Sequence, residues 1–256
     1  MAYIACCKEI SVYGVKLPVD EIIAAVENTN EYLVRLNALF SEIGFNLFTV
    51  LGQRNISGVI GEIYSQFLAA GNKYLVNNPH PDGRPDVLCV PNKEVSEYLK
   101  TCFISVGGKR IPSKSMLAPF KYGGIEIKCT IGDPVSGYKK LLRKKYKIDD
   151  FYIGFPRVEF LSNLNWWAHH TKSSHMLGLY YDFSENHAGV PQIMAGFFGV
   201  LTEDNWTKVS TGNVEHKKTS NTSLNKTGKE IMKSHPVFVV NDKRYIEALR
   251  NIGVRI

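Results

Sequence analysis

The sequence predicts an α/β protein with a mixed central β-sheet flanked by helices. Three observations carry that expectation. Two long apolar stripes at helical spacing fill the first third of the chain. Short apolar runs bounded by Gly, Pro and Asn follow them. The order then reads helix, strand, strand, basic helix, strand, strand. With 256 residues and 44% apolar content, the chain can bury a large core as one domain over 1–256.

The elements follow in order. Pro18, Asp20 and Glu21 mark a helix start, because proline tolerates the first turn and acids favour its positive dipole end. Ile22, Val26, Leu33, Leu36, Phe40 and Ile43 recur on one face, and Gly44 closes the run. A second helix is expected over 57–75, with Ile60, Ile63, Phe67 and Tyr74 as its stripe. This gives an N-terminal helical part of about 18–76. Residues 77–85 are turn-rich, and 86–90 read as a short buried strand stopped by Pro91. Residues 92–121 look like an insertion with a helix around 95–99. A second strand covers 125–131, a basic helix 138–147, and buried strands 177–183 and 192–201. Together they make a central core of about 77–205. In the remaining part, 206–256, residues 216–230 read as a long polar loop, 237–240 as a strand and 242–252 as a helix.

The net charge of +7 and pI near 9.0 favour an anionic partner, whether nucleic acid, membrane or acidic protein. The charge is clustered. Lys139, Lys140, Arg143, Lys144, Lys145 and Lys147 fall within nine residues, and Lys217, Lys218, Lys226, Lys229 and Lys233 form a second group. Either cluster also reads as a solvated face. Five cysteines without a C-x-x-C pair give no support to zinc and fit a reducing cytoplasm. No signal peptide or membrane-spanning run is expected, and no glycine-rich phosphate loop suggests a nucleotide cofactor.

The chemistry centres on residues 125–131. A strand alternates its faces, so Ile125, Ile127, Cys129 and Ile131 point one way and Glu126, Lys128 and Thr130 the other. A carboxylate and an ammonium then emerge side by side, with apolar neighbours anchoring the opposite face. Asp86 opens the earlier strand after Arg84-Pro85. If the strands are neighbours, Asp86 and Glu126 can converge on one Mg2+, which prefers oxygen ligands and keeps several waters. Such a cation would lower the pKa of a bound water and offset phosphate charge. Lys128 would orient that water or stabilise the transition state. Asp82 is a rival, but Gly83 places it in a turn; Asp133, after Gly132, also reads as a turn residue.

Pro85-Asp86 and Glu126-Ile127-Lys128 resemble the two motifs of the PD-(D/E)xK nuclease superfamily. The run Gly-Gly-Ile-Glu-Ile-Lys-Cys-Thr is similar to that of its type II restriction endonucleases, and the resemblance spans roughly 55–205. It implies a restriction-endonuclease-like core with the two motifs on adjacent strands of a hairpin. The forty positions separating Asp86 from Glu126 exceed the usual gap, so 92–121 must be an insertion. The resemblance also implies that the Ile127 carbonyl completes the metal shell, and that a helical glutamate, here Glu62, sometimes joins it; Glu62 fits a merely solvated side chain equally well.

Adjacent histidines diverge on any regular element, so His169 and His170 rarely chelate one ion together. With Thr171 and Lys172 they instead offer hydrogen-bonding groups for DNA. Lys140 and Lys144 on the basic helix, and Lys217, Lys218 and Thr219 in the C-terminal loop, are further DNA-contact candidates. Trp166, Trp167 and Trp206 read as core or interface aromatics.

The resulting expectation is a type II site-specific restriction endonuclease of a bacterial or archaeal cytoplasm. It would bind double-stranded DNA as a homodimer and hydrolyse phosphodiesters with Mg2+, leaving 5′-phosphate and 3′-hydroxyl ends. Asp86, Glu126 and Lys128 would be catalytic, 77–205 the catalytic core, and 206–256 a DNA-contacting or accessory part. The alternatives are a repair or junction nuclease of the same superfamily, and a non-catalytic DNA-binding protein.

Overall fold

The computed structural model describes residues 1–147, 154–172, 174–184, 189–211 and 220–256. A seven-stranded mixed sheet forms its centre: β1 (Tyr3–Ala5), β2 (Leu75–Asn77), β3 (Val87–Cys89), β4 (Gly124–Thr130), β5 (His175–Phe183), β6 (Pro191–Val200) and β7 (Pro236–Val240). Their spatial order is β1-β7-β6-β5-β4-β3-β2. Only β4 and β5 run parallel, with Glu126 opposite Met176 and Thr130 opposite Tyr180. The other neighbours are antiparallel. A parallel pair needs a crossover, and residues 131–174 supply it.

The main helices are α1 (Val19–Ser41), α2 (Gln53–Gly71), α3 (Lys93–Thr101), α4 (Tyr138–Tyr146), α5 (Lys226–Ser234) and α6 (Lys243–Asn251). On one face of the sheet, Ile22 and Leu33 of α1 and Ile60 and Leu68 of α2 pack with Ile125, Ile127 and Leu177. On the other, Met232 of α5 and Leu249 of α6 join Trp166, Met176, Tyr180 and Phe197. Burial on both faces explains why β5 and β6 read as continuous apolar runs. No described helix is long and apolar enough to cross a membrane.

Several boundaries differ from the sequence expectation. The second helix ends at Gly71, and Leu75 already belongs to β2. The Asn72 side chain accepts the Tyr74 amide at 2.9 Å and turns the chain, a local bond that an apolar stripe does not register. The expected loop 216–230 contains a strand, Ser220–Ser223, and the start of α5. Polar composition hid that helix, whose N-terminus is capped by Asn225 accepting from Gly228 N at 3.0 Å. Asp133 lies in a two-residue strand paired with Leu161–Asn163 rather than in a free turn. An N-terminal hairpin, Glu9–Val12 with Val15–Pro18, was not anticipated; Tyr13 and Gly14 form its two-residue turn with φ of 48° and 81°.

The insertion at 92–121 is a small unit of its own. It contains α3, a hairpin of Phe103–Val106 with Lys109–Pro112, and a one-turn helix Lys114–Leu117. Val95, Cys102, Leu117 and Phe120 pack there with Leu88 of β3. All five cysteines are unpaired.

Candidate active site

Asp86 reaches the site through a clamped turn. Asn78 Nδ2 donates to the carbonyls of Pro85 and Leu117, each at 3.0 Å, while Asn78 N donates to Asp86 O at 2.9 Å. Gly83 packs against that asparagine: a Cβ there would lie 2.1 Å from Asn78 Oδ1, so a larger residue displaces the clamp. Arg84 N donates to Leu117 O and Phe120 N donates to Arg84 O, both at 2.8 Å. The returning end of the insertion thus holds the turn in place.

Strands β3 and β4 pair antiparallel, with Val87 opposite Ile125 and Leu88 opposite Gly124. The insertion therefore loops out between two adjacent strands, and the forty-position gap closes. Asp86, one residue before β3, comes beside residues 126–128. Its Oδ2 accepts the Ile127 amide hydrogen at 2.7 Å.

Lys128 binds this cluster together. Its Nζ lies 2.7 Å from Glu126 Oε1, 3.1 Å from Ile127 O and 3.5 Å from Asp86 Oδ2. Three oxygens thus converge on one cationic nitrogen. Glu126 is almost wholly buried, with its side chain 5% exposed; Lys128 and Asp86 keep 23% and 29%. Burial pushes the Asp86 carboxyl up to about 6, with Lys128 opposing and Glu126 adding to the shift. Burial opposes the charge on Lys128, but Glu126 and then Asp86 outweigh it and hold the ammonium above its usual range. At neutral pH this lysine is a fixed positive charge.

A cleft of about 600 Å3 opens on Asp86, Ile127 and Lys128. Glu62 of α2 lines it. Desolvation, then the Asp86 carboxylate, raise the Glu62 pKa, with Lys128 pulling it down. Glu62 therefore shares the electrostatic field of the cluster. Asp133, Trp167, His169 and Asn221 line other parts of this cleft. His170 lies on the far side of Glu126, its Nε2 3.7 Å from Glu126 Oε1. Its Nδ1 accepts the Lys172 amide hydrogen at 3.1 Å. Burial, then Arg84 and Lys128, push the imidazole down to about 4, so it is neutral at physiological pH.

Among the described residues, no group of three or more His, Cys, Asp or Glu side chains lies close enough to hold a metal ion. The convergent donors are instead two carboxylates and a main-chain carbonyl. That all-oxygen set suits a magnesium ion that retains waters and does not suit zinc. The position of the Lys128 ammonium shows that the three oxygens can face one cation.

The expected residues separate into groups. Asp86, Glu126, Ile127 and Lys128 come together, with Glu62 and His169 on the same cleft and His170 against Glu126. Lys172 lines a small crevice with Glu126 and His170, and Thr171 lies between these contacts in the chain. Lys140 and Lys144 are exposed on α4 and do not line the cleft. Lys217, Lys218 and Thr219 lie outside the described residues. Lys233, grouped with them by charge, is buried and donates to Ile252 O at 2.9 Å, so it caps the end of α6. The rival Asp82 is paired with Lys114 at 2.8 Å on the surface.

Among the residues that sequence reading missed are two of this cleft and one of a neighbouring crevice. Trp167, read as core or interface, is 54% exposed on the cleft wall, while Trp166 is fully buried. A two-residue strand, Trp167–Ala168, turns Trp167 outward and Ala168 into the core. Asn221 arrives through the pairing of Trp167–Ala168 with Ser220–Ser223, which no local pattern announces. Arg84 stands beside Pro85-Asp86 but carried no pattern of its own; it lines a crevice of about 270 Å3 with Lys114, Glu126 and Lys128.

The sequence matches no family model and no curated protein, and the fold matches no solved structure.

Proposed function

We propose that this chain is a magnesium-dependent DNA endonuclease of the type II restriction class. It hydrolyses phosphodiester bonds of duplex DNA to 5′-phosphate and 3′-hydroxyl ends and acts as a homodimer on two-fold symmetric sites. The observation that carries this reading is the convergence of Asp86 Oδ2, Glu126 Oε1 and Ile127 O on the single cation Lys128 Nζ. The adjacent antiparallel strands carrying Asp86 and Glu126 support it as well.

Asp86, Glu126 and Ile127 O would hold the metal, with Glu62 facing it from α2. Bound there, magnesium supplies Lewis-acid stabilisation of charge at the phosphate and promotes ionisation of the attacking water. Lys128 keeps a permanent positive charge beside the reacting phosphate and orients the nucleophile. Neutral His170, anchored through Nδ1, lies beside Glu126, its Nε2 3.7 Å from Oε1. His169 on the cleft and Lys172 in the neighbouring crevice would contact the DNA backbone.

Plasmid digestion tests the reading. The expected result is magnesium-dependent, discrete fragments whose mapped ends share one sequence. Nicking confined to branched or mismatched DNA would point to a repair or junction nuclease. Binding without cleavage in magnesium or manganese would point to a non-catalytic DNA-binding protein. Glu126→Ala and Lys128→Ala are expected to abolish cutting while specific binding in calcium persists; normal cutting by either removes this site from the chemistry.

A further inference from the structure

The insertion at 92–121 carries charge out of proportion to its length. It holds Lys93, Lys100, Lys109, Arg110, Lys114 and Lys121 against Glu94 and Glu97, a net +4 of the chain's +7. Lys114, two residues beyond the hairpin's end, lines the same crevice as Arg84, Glu126, Lys128 and His170. The base is fixed by Ser113 N donating to Cys102 O at 2.8 Å and by the small core around Cys102 and Leu117.

The ribbon has two distinct faces. Ile104 pairs with Ile111 and Val106 with Lys109, so these four side chains share one face. Ile104, Val106 and Ile111 are 50%, 52% and 41% exposed, unusual for a run of β-branched residues. The other face is braced: Arg110 lies 4.9 Å over the Phe103 ring and donates to Lys100 O at 2.9 Å. Gly107 and Gly108, with φ of 57° and 77°, make the tip a tight two-residue turn. Each strand of four residues extends about 13 Å at the usual rise.

We infer that the hairpin Phe103–Pro112 is a groove-reading arm that enters the major groove of duplex DNA lying in the active-site cleft; its substrate class rests on the nuclease reading above. A two-stranded ribbon fits a groove roughly 12 Å wide. The net positive charge of the insertion complements the phosphate flanks and repels a second like-charged copy of itself. Lys109 reaches phosphate or guanine edges at the tip, and Ile104, Val106 and Ile111 meet thymine methyl groups along the groove floor.

The test uses the full-length protein, calcium in place of magnesium, and a fluorescein-labelled mixed-sequence duplex of about 30 base pairs over a range of salt. The charge variant Lys109→Ala is expected to lose severalfold in affinity, and to flatten the slope of log affinity against log salt by about 1. Ile104→Ser with Ile111→Ser is expected to lose affinity at unchanged slope, because it removes groove contacts and no phosphate contacts. These side chains are exposed, so thermal midpoints should stay at wild-type values. Wild-type affinity and slope in the charge variant overturn the inference. So does an isoleucine variant that changes the sedimentation state and leaves binding intact, which would make this face a self-interface. Binding in calcium is read apart from cleavage. A protein that binds through the arm and never cuts refutes only the nuclease reading. One that cuts normally with an unaffected charge variant refutes only the arm.

Discussion

A single atom of Asp86 both positions β4 and faces the site's cation: Oδ2 accepts the Ile127 amide hydrogen at 2.7 Å and lies 3.5 Å from Lys128 Nζ. The structural and chemical contributions of Asp86 should therefore separate by substitution. Asp86→Ala leaves a buried amide without an acceptor, at a cost of about 1–3 kcal/mol. Asp86→Asn keeps an acceptor in place. Both variants should be inactive, with the asparagine variant the more stable in chemical denaturation with EDTA. Equal stability would show that the Ile127 contact does not hold the strand.

The same carboxyl makes stability depend on pH. Burial raises its pKa from the ordinary 3.8 to about 6 in the folded protein. A carboxyl with a raised folded pKa favours folding in its protonated form. That stabilisation is present below about pH 4 and lost as pH rises through about 6. Metal-free wild type should therefore lose about 3 kcal/mol relative to Asp86→Asn over this window, or ~8 °C in melting temperature for a chain of this size. Melting curves in EDTA across the window check it; parallel curves for the two proteins contradict the shift.

Lys128 compensates Asp86 and Glu126 in the absence of metal. Lys128→Ala leaves two carboxylates without their cation and should destabilise the metal-free protein by roughly 2–4 kcal/mol. A divalent ion can replace the lost charge, so calcium should raise the melting temperature of this variant more than that of wild type. A smaller calcium shift in the variant would mean that the three oxygens do not share a cation site.

Asp182 holds the opposite side of the core. Its buried carboxylate accepts the amides of Arg157 and Phe183 at 2.9 Å and Val158 at 3.0 Å, and the Tyr245 hydroxyl at 3.2 Å. Asp182→Ala orphans several buried donors together and is expected to cost about 3–5 kcal/mol. Tyr245→Phe removes one donor and should cost about 1 kcal/mol. Denaturant titration ranks them; near-equal losses would show that the amides do not depend on the carboxylate.

Trp167 offers an optical readout of the cleft, since Trp166 and Trp206 are buried. Duplex DNA added in calcium should quench indole emission in wild type and leave Trp167→Phe nearly unchanged. A full quench in the variant would place the contact elsewhere.

Parts of the site were legible without a fold. The alternation of Glu126, Lys128 and Thr130 against Ile125, Ile127 and Cys129 is a property of one strand with a period of two, and it holds in the structure. The preference for Asp86 over Asp82 rested on the Gly83 turn, and Asp82 does face solvent, paired with Lys114. Charge alone was a poorer guide. It grouped Lys233 with surface lysines, although that side chain is buried on a helix-terminal carbonyl.

The sequence by itself determined the face each residue takes on β4 and the buried faces begun by Ile22, Val26 and Leu33 of α1 and Ile60 of α2, because such periodicities depend only on local backbone geometry; Ile43 and Tyr74, read into the same stripes, lie past the helix ends and are exposed. Tertiary structure alone decided that Asp86 meets Glu126 across forty positions, that Trp167 and Asn221 share a wall, and that the insertion returns to clamp the Asp86 turn. Those outcomes depend on pairing and burial between distant segments. Their free energy is shared by both partners and written in neither one alone.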